Sequence, residues 1–203
     1  MLAKKLSDLI KVYDDILSVE KCDRIIEFFE SNSKLHQRVD NNQRPKFTQL
    51  NLTQHVQSEG ATEEEKLIHT ELTTTLMNII SLYQIDCSVT DEMPSQWALE
   101  QIRIKKYNKA KDCCDPDLIQ DADQFAEHVD VGDHNSARRF LAIFIYLNHT
   151  ENTGKTIFPY LDLQVDAIPG RILVFPPMWM YPHAGLPSFA DNKYIVGTYC
   201  HYL

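Results

Sequence analysis

The stretch Arg138-Arg139-Phe140-Leu141-Ala142-Ile143-Phe144-Ile145-Tyr146-Leu147-Asn148 holds the longest unbroken apolar run of the chain, the eight residues from Phe140 to Leu147. Eight residues fall far short of the roughly 20 that cross a bilayer. Bounded by charge on one side and Asn on the other, the run reads as a strand over 138–147. Working outward, further short runs punctuated by Pro, Gly, Asn and Asp predict strands at 98–107, 125–131, 155–158, 163–168, 171–175 and 193–202. Many short strands at close spacing predict an antiparallel barrel or double-sheet jelly roll, because a parallel sheet would need a helix between successive strands.

The first 96 residues read differently. Residues 10–13 form a candidate strand, and Ser18 is an N-cap candidate before Cys22, Ile25, Ile26 and Phe29, one stripe of a helix. Residues 31–60 are polar and aperiodic and read as loop or weak extended structure. Thr62 and Glu65 then make a capping-box pattern ahead of Ile68, Leu72, Leu76, Ile79, Ile80 and Tyr83. The expected class is α+β, mainly β: a double-stranded β-helix (jelly roll, cupin-like) with N-terminal helices packed on one sheet. The expected organisation is a single domain over 1–203, with 1–96 as helical support and 97–203 as the catalytic core.

Of the 203 residues 43% are apolar, which excludes disorder, and the formal charge of −9 argues against nonspecific attachment to nucleic acid or an anionic membrane. The N-terminus meets Asp8 before any long apolar stretch, so it does not read as a secretory signal, and a cytoplasmic location is expected. Five cysteines, an odd number without a C-x-x-C pair, read as reduced thiols.

His128-Val129-Asp130 places an imidazole and a carboxylate two residues apart, on one face if the segment is a strand. Alone, the pair is as readily explained by Asp130 orienting His128. Downstream, His183 lies in Phe175-Pro176-Pro177-Met178-Trp179-Met180-Tyr181-Pro182-His183-Ala184-Gly185. Two neutral imidazoles and one carboxylate on one side of an ion leave open positions, the facial arrangement suited to non-heme Fe(II). Lys193 opens the last strand, where alternation puts it on one face with Ile195, Gly197 and Tyr199. A lysine at a strand start is most often solvated, and a buried one needs an anion.

Order and spacing together resemble the prolyl 4-hydroxylase-like branch of the 2-oxoglutarate- and Fe(II)-dependent oxygenases. The resemblance is carried by Tyr107 in Lys105-Lys106-Tyr107-Asn108, His128-x-Asp130, Tyr146-Leu147-Asn148, Gly154-Lys155-Thr156-Ile157-Phe158-Pro159, Pro169-Gly170-Arg171-Ile172-Leu173-Val174-Phe175, His183 and Lys193. It covers residues 97–203, and the segment from Val12 to Phe29 looks like the lead-in of small bacterial and phage members. The resemblance implies iron ligation by His128, Asp130 and His183 as the catalytic centre. It implies binding of 2-oxoglutarate by Lys193, with Tyr107 and Tyr146 beside it, and a substrate contact from Arg139. The implied reaction couples decarboxylation of 2-oxoglutarate to succinate with hydroxylation of a substrate, a peptidyl proline first and a small molecule otherwise, with ascorbate as auxiliary reductant. Two departures stand out: Thr153-Gly154 where relatives often carry two glycines, and Gly197, which lacks a hydroxyl that some relatives place near the co-substrate. The competing readings are an inactive jelly-roll binding module and a metal-dependent cupin-type enzyme that uses no 2-oxoglutarate. The segments 31–60 and 108–124 are the candidate lids.

Overall fold

Ser18 and Thr62 open the two long helices as their side chains predict. Ser18 Oγ accepts from Lys21 N at 3.4 Å, and Thr62 and Glu65 cap each other's backbone nitrogens reciprocally. In the computed structural model, which describes residues 5–41, 45–111 and 122–203, the elements follow in order. They are β1 (Lys11–Tyr13), α1 (Val19–Ser31), β2 (Gln37–Asp40), β3 (Lys46–Asn51), α2 (Leu52–Val56), α3 (Glu63–Asp86), β4 (Trp97–Leu99), β5 (Arg103–Tyr107) and β6 (Phe125–His128), then β7 (Arg139–Tyr146), β8 (Thr156–Phe158), β9 (Leu163–Val165), β10 (Ile172–Phe175), β11 (His183–Gly185) and β12 (Lys193–Tyr202). Among the described residues no helix is long and apolar enough to cross a membrane.

The strands make two antiparallel sheets. The larger has eight strands in the order β1-β10-β7-β12-β5-β3-β2, with β4 also paired to β12; the smaller has the order β6-β11-β8-β9. Because side chains alternate across a strand, the large sheet has two different faces. One carries Ile104, Leu141, Ile143, Ile145, Ile172, Val174 and Val196 against Ile25 and Phe29 of α1 and the Ile68-to-Tyr83 stripe of α3. The other carries Tyr107, Phe144, Tyr146, Phe175, Ile195 and Tyr199 toward the small sheet. This is the expected jelly roll with helices on one sheet.

One glycine is obligatory. Gly170 has φ +77°, and a Cβ there would lie 2.0 Å from Leu17 O. Its carbonyl accepts from Ile16 N and Leu17 N, tying the turn before β10 to the lead-in of α1.

Several expectations are corrected. Of the loop or weak extended structure expected over 31–60, the extended part is regular: β2 and β3 pair and extend the large sheet beyond β5, and α2, which was not expected, follows. The hairpin escapes a periodicity reading because its strands lie at or next to the sheet edge, with Gln, Arg and Thr on the solvated side. The helical support region 1–96 therefore also supplies strands to both ends of the sheet. The expected strand 98–107 is two strands, β4 and β5, both paired with β12. Strand 125–131 ends at His128, so Asp130 lies in the turn beyond it. The strand at His183 carries no apolar run and is missing from the sequence reading. Cys22, Cys87 and Cys200 are buried free thiols, whereas Cys113 and Cys114, with most of the candidate lid 108–124, lie outside the described residues.

Candidate functional site

β6 and β11 are neighbours in the small sheet, with His183 directly opposite His128. That register brings together two residues 55 positions apart in the chain, and the turn after β6 swings Asp130 between them. His128 Nε2 lies 3.4 Å from Asp130 Oδ1, and His183 Nε2 lies 3.5 Å from Asp130 Oδ2. The three donor atoms lie within 4.8 Å of one another.

Each imidazole is held in one tautomer by the backbone. His128 Nδ1 donates to Ala126 O at 2.7 Å and His183 Nδ1 to Tyr181 O at 3.1 Å, so both Nε2 lone pairs face the same point. Rings fix the planes: His128 stacks on Phe125 at 3.5 Å, and His183 sits against Phe175 and Phe158 at 4.7 and 5.7 Å. Burial drives the His183 imidazole toward its neutral form. Burial alone would raise Asp130, but the adjacent His128 and His183 imidazoles and the Tyr199 hydroxyl hold it below the ordinary carboxylate value. His183 Nε2 and Asp130 Oδ2 are both buried without a hydrogen-bond partner. Orphaned acceptors are costly in a protein interior, and a divalent ion would satisfy both. The donor set, two imidazole nitrogens and one carboxylate, suits Fe(II) or another first-row ion with positions left open.

The centre opens onto a small cavity bounded by Tyr107, Phe144, Thr156, Ile195 and Tyr199 and by two lysines, Lys105 and Lys193. Lys193 is 3% exposed. Its ammonium donates to Gly154 O at 2.6 Å and lies 5.7 and 5.5 Å from the rings of Tyr107 and Tyr146. Burial lowers its pKa to about 7. Lys193 is therefore not the solvated lysine that a strand start usually carries.

Tyr146 lies behind the wall, its hydroxyl donating to Thr156 Oγ1 at 2.7 Å. Arg139, expected at the substrate, is not part of the cavity lining: Glu100 holds it through a two-bond ion pair at 2.6 and 2.9 Å. Its guanidinium stacks on Tyr199 at 4.1 Å and reaches Asp130 O at 3.4 Å, so it stands behind the carboxylate ligand candidate. Tyr199 donates to Asp130 Oδ1 at 2.8 Å. The sequence reading singled out neither Tyr199 nor Lys105 as a site residue. Strand parity was the available signal, since Tyr199 shares a face with Lys193 and Lys105 with Tyr107.

No family model matches the chain, and no curated protein matches it by sequence. Solved structures do. A viral collagen prolyl hydroxylase from Paramecium bursaria Chlorella virus-1, in a 2OG complex, superposes with a TM-score of 0.64 over 96% of each chain at 16% identity. A Trichoplax adhaerens prolyl hydroxylase, in complex with a hypoxia inducible factor peptide fragment, gives 0.69 over 96% of this chain and 84% of that one, at 13% identity. A Pseudomonas putida prolyl-4-hydroxylase gives 0.62 over 96% and 93%, at 12% identity. The chain has the prolyl 4-hydroxylase-like fold.

Proposed function

We propose that this chain is a 2-oxoglutarate- and Fe(II)-dependent dioxygenase that hydroxylates a substrate, with a peptidyl proline as the first candidate. The observation that carries the reading is one cavity with two orphaned ligand atoms at one end and a buried ammonium in its wall. The structural neighbours, all prolyl hydroxylases, support the same direction.

In this reading His128, Asp130 and His183 hold the metal. When bound, the ion and the keto acid supply the oxidising chemistry, in which dioxygen and 2-oxoglutarate give succinate, carbon dioxide and a hydroxylated product. The chain's own residues supply orientation. The Ala126 and Tyr181 carbonyls keep the imidazoles in their metal-binding tautomer, and Tyr199 with Arg139 steadies Asp130. Lys193 pairs with the far carboxylate of 2-oxoglutarate, and the rings of Tyr107 and Tyr146 shield that ion pair from water. Phe125 and Phe144 give the cavity apolar walls, and Phe158 and Phe175 back the His183 ring. Ascorbate as auxiliary reductant belongs to the same reading.

Anaerobic titration of the apoprotein with Fe(II) and then 2-oxoglutarate tests it. The expected result is a weak visible charge-transfer band that is lost in Asp130→Ala. Absence of the band in folded wild-type protein would overturn the reading, in favour of the metal-dependent cupin-type enzyme if Fe(II) still binds and of the jelly-roll binding module if it does not.

A further inference from the structure

Two ammonium groups face the cavity, and only Lys193 has a task in the reading above. Lys105 stands opposite Ile195 in the β5–β12 ladder, two residues before Tyr107, so alternation turns it inward. It is 9% exposed, lines the cavity, and has the Phe47 ring 5.0 Å from its Nζ. Among the described residues no carboxylate lies within ion-pair distance of it. The chain has a net charge of −9 and acids to spare, yet none is placed there. Burial lowers its pKa to about 8, against the pull of the Asp130 charge. An ammonium in that position is still mostly charged at neutral pH, and a buried charge without a partner is costly.

Gly197 is the part of β12 next to this ammonium. A Cβ built there would lie 3.8 Å from Lys105 Nζ and 3.4 Å from the edge of Phe144. Gly197 follows Lys193 on the same face of β12 and precedes Tyr199, which bonds Asp130. The Lys105 ammonium therefore stands beside the part of β12 that leads from Lys193 to the metal-ligand end of the cavity.

We propose that Lys105 is a specificity-determining residue that binds the carboxylate at the keto-acid end of the co-substrate, making the cavity a two-cation receptor for a dicarboxylate. Lys193 takes the far carboxylate, and Lys105 takes the near one on the metal side. The inference rests on the reading that the co-substrate is 2-oxoglutarate.

The test is calorimetric titration of the full chain, loaded with Mn(II) so that binding is read without turnover. The probes are 2-oxoglutarate and 2-oxobutyrate, which keeps the keto-acid end and lacks the far carboxylate. Lys105→Met should weaken both probes about 10- to 100-fold, the range for losing a charged hydrogen bond, with Mn(II) affinity undiminished. Lys193→Met should weaken 2-oxoglutarate by a similar factor and leave 2-oxobutyrate within about twofold. Lys105→Gln, which keeps a polar group of similar length, covers the case in which the Met variant does not fold. Binding of 2-oxoglutarate by a folded Lys105 variant within about twofold of wild type would overturn the inference and leave the proposed function standing. Failure of Mn(II)-loaded wild type to bind 2-oxoglutarate would overturn both.

Discussion

The two faces of the eight-stranded sheet are made by the same strands and differ at every second residue. Toward the helices, Ile104, Ile143, Ile145, Val174 and Val196 close the space completely, all at 0% exposed. Toward the small sheet, the intervening positions hold Lys105, Tyr107, Phe144, Tyr146, Lys193 and Tyr199, and a cavity remains. The comparison teaches a division of labour. One face is filled mainly with aliphatic side chains, and the hydroxyls it carries, on Tyr194 and Thr198, are hydrogen-bonded to Glu30 and to the Glu100 carbonyl, so its contribution is stability. The other tolerates buried cations and unsatisfied acceptors, which cost stability and are explained by what they can hold.

The sharpest way to break this division is to substitute one residue on each side. His183→Ala removes one of three donors; succinate production from 2-oxoglutarate should fall to background while the circular dichroism spectrum and unfolding cooperativity are kept. Full activity in that variant would remove His183 from the centre. Ile143→Ala on the helix side should do the opposite, costing about 2–5 kcal/mol in urea unfolding through the cavity it leaves. Its metal affinity in the folded state should equal that of wild type. A shifted metal affinity there would mean that the two faces are mechanically coupled, and the division would fail.

Legibility in the sequence followed the same line. The helix side was readable because a single periodicity decides it: Ile68, Leu72, Leu76, Ile79, Ile80 and Tyr83 are all buried in α3 as spaced. The metal-ligand candidates were readable as residue types in order, but not as geometry. The argument that His128 and Asp130 share a strand face does not hold, since β6 ends at His128 and a turn brings Asp130 in. The hairpin β2–β3 was legible only as weak extended structure, because β2, a polar edge strand, and its neighbour β3 carry little alternation. It is tied down by a contact no local pattern encodes: Arg38 donates two bonds to Asp123, at 2.8 and 2.6 Å, across 85 residues. Strand parity puts Lys105 and Tyr199 on the cavity face, and strand pairing then places them beside Gly197 and Asp130.

The buried ammoniums allow the comparison to be sharpened by pH. In the unfolded chain Lys193 keeps its proton up to the ordinary value of 10.5, whereas in the folded chain burial lowers its pKa to about 7. Between those values the unfolded state binds more protons, so raising the pH favours the folded state. The ligand-free wild type should therefore gain stability relative to Lys193→Met between pH 7 and pH 9, by up to about 1.4 kcal/mol per pH unit. Comparing the two proteins removes the opposing contribution of the buried tyrosines and cysteines, which is common to both. Parallel pH profiles would show that Lys193 is solvated in the free protein.

The smallest expected effect falls on the boundary between structure and chemistry. Tyr199 projects its hydroxyl 2.8 Å from Asp130 Oδ1, while its ring lies under the Arg139 guanidinium at 4.1 Å. Tyr199→Phe keeps the ring, the stacking and the volume, and removes only the donor. Asp130 then rests on His128 and on the metal itself, so its carboxylate is free to rotate about the site. Partners of this kind, which orient a ligand without touching the metal, typically change metal affinity by about 10- to 100-fold, and the lower end fits a carboxylate that keeps a second neighbour. Mn(II) titration of Tyr199→Phe should therefore show about tenfold weaker binding with an unfolding midpoint close to wild type. An equal affinity would mean that burial and the two imidazoles alone orient Asp130, and that Tyr199 and Arg139 belong with the packed side of the molecule.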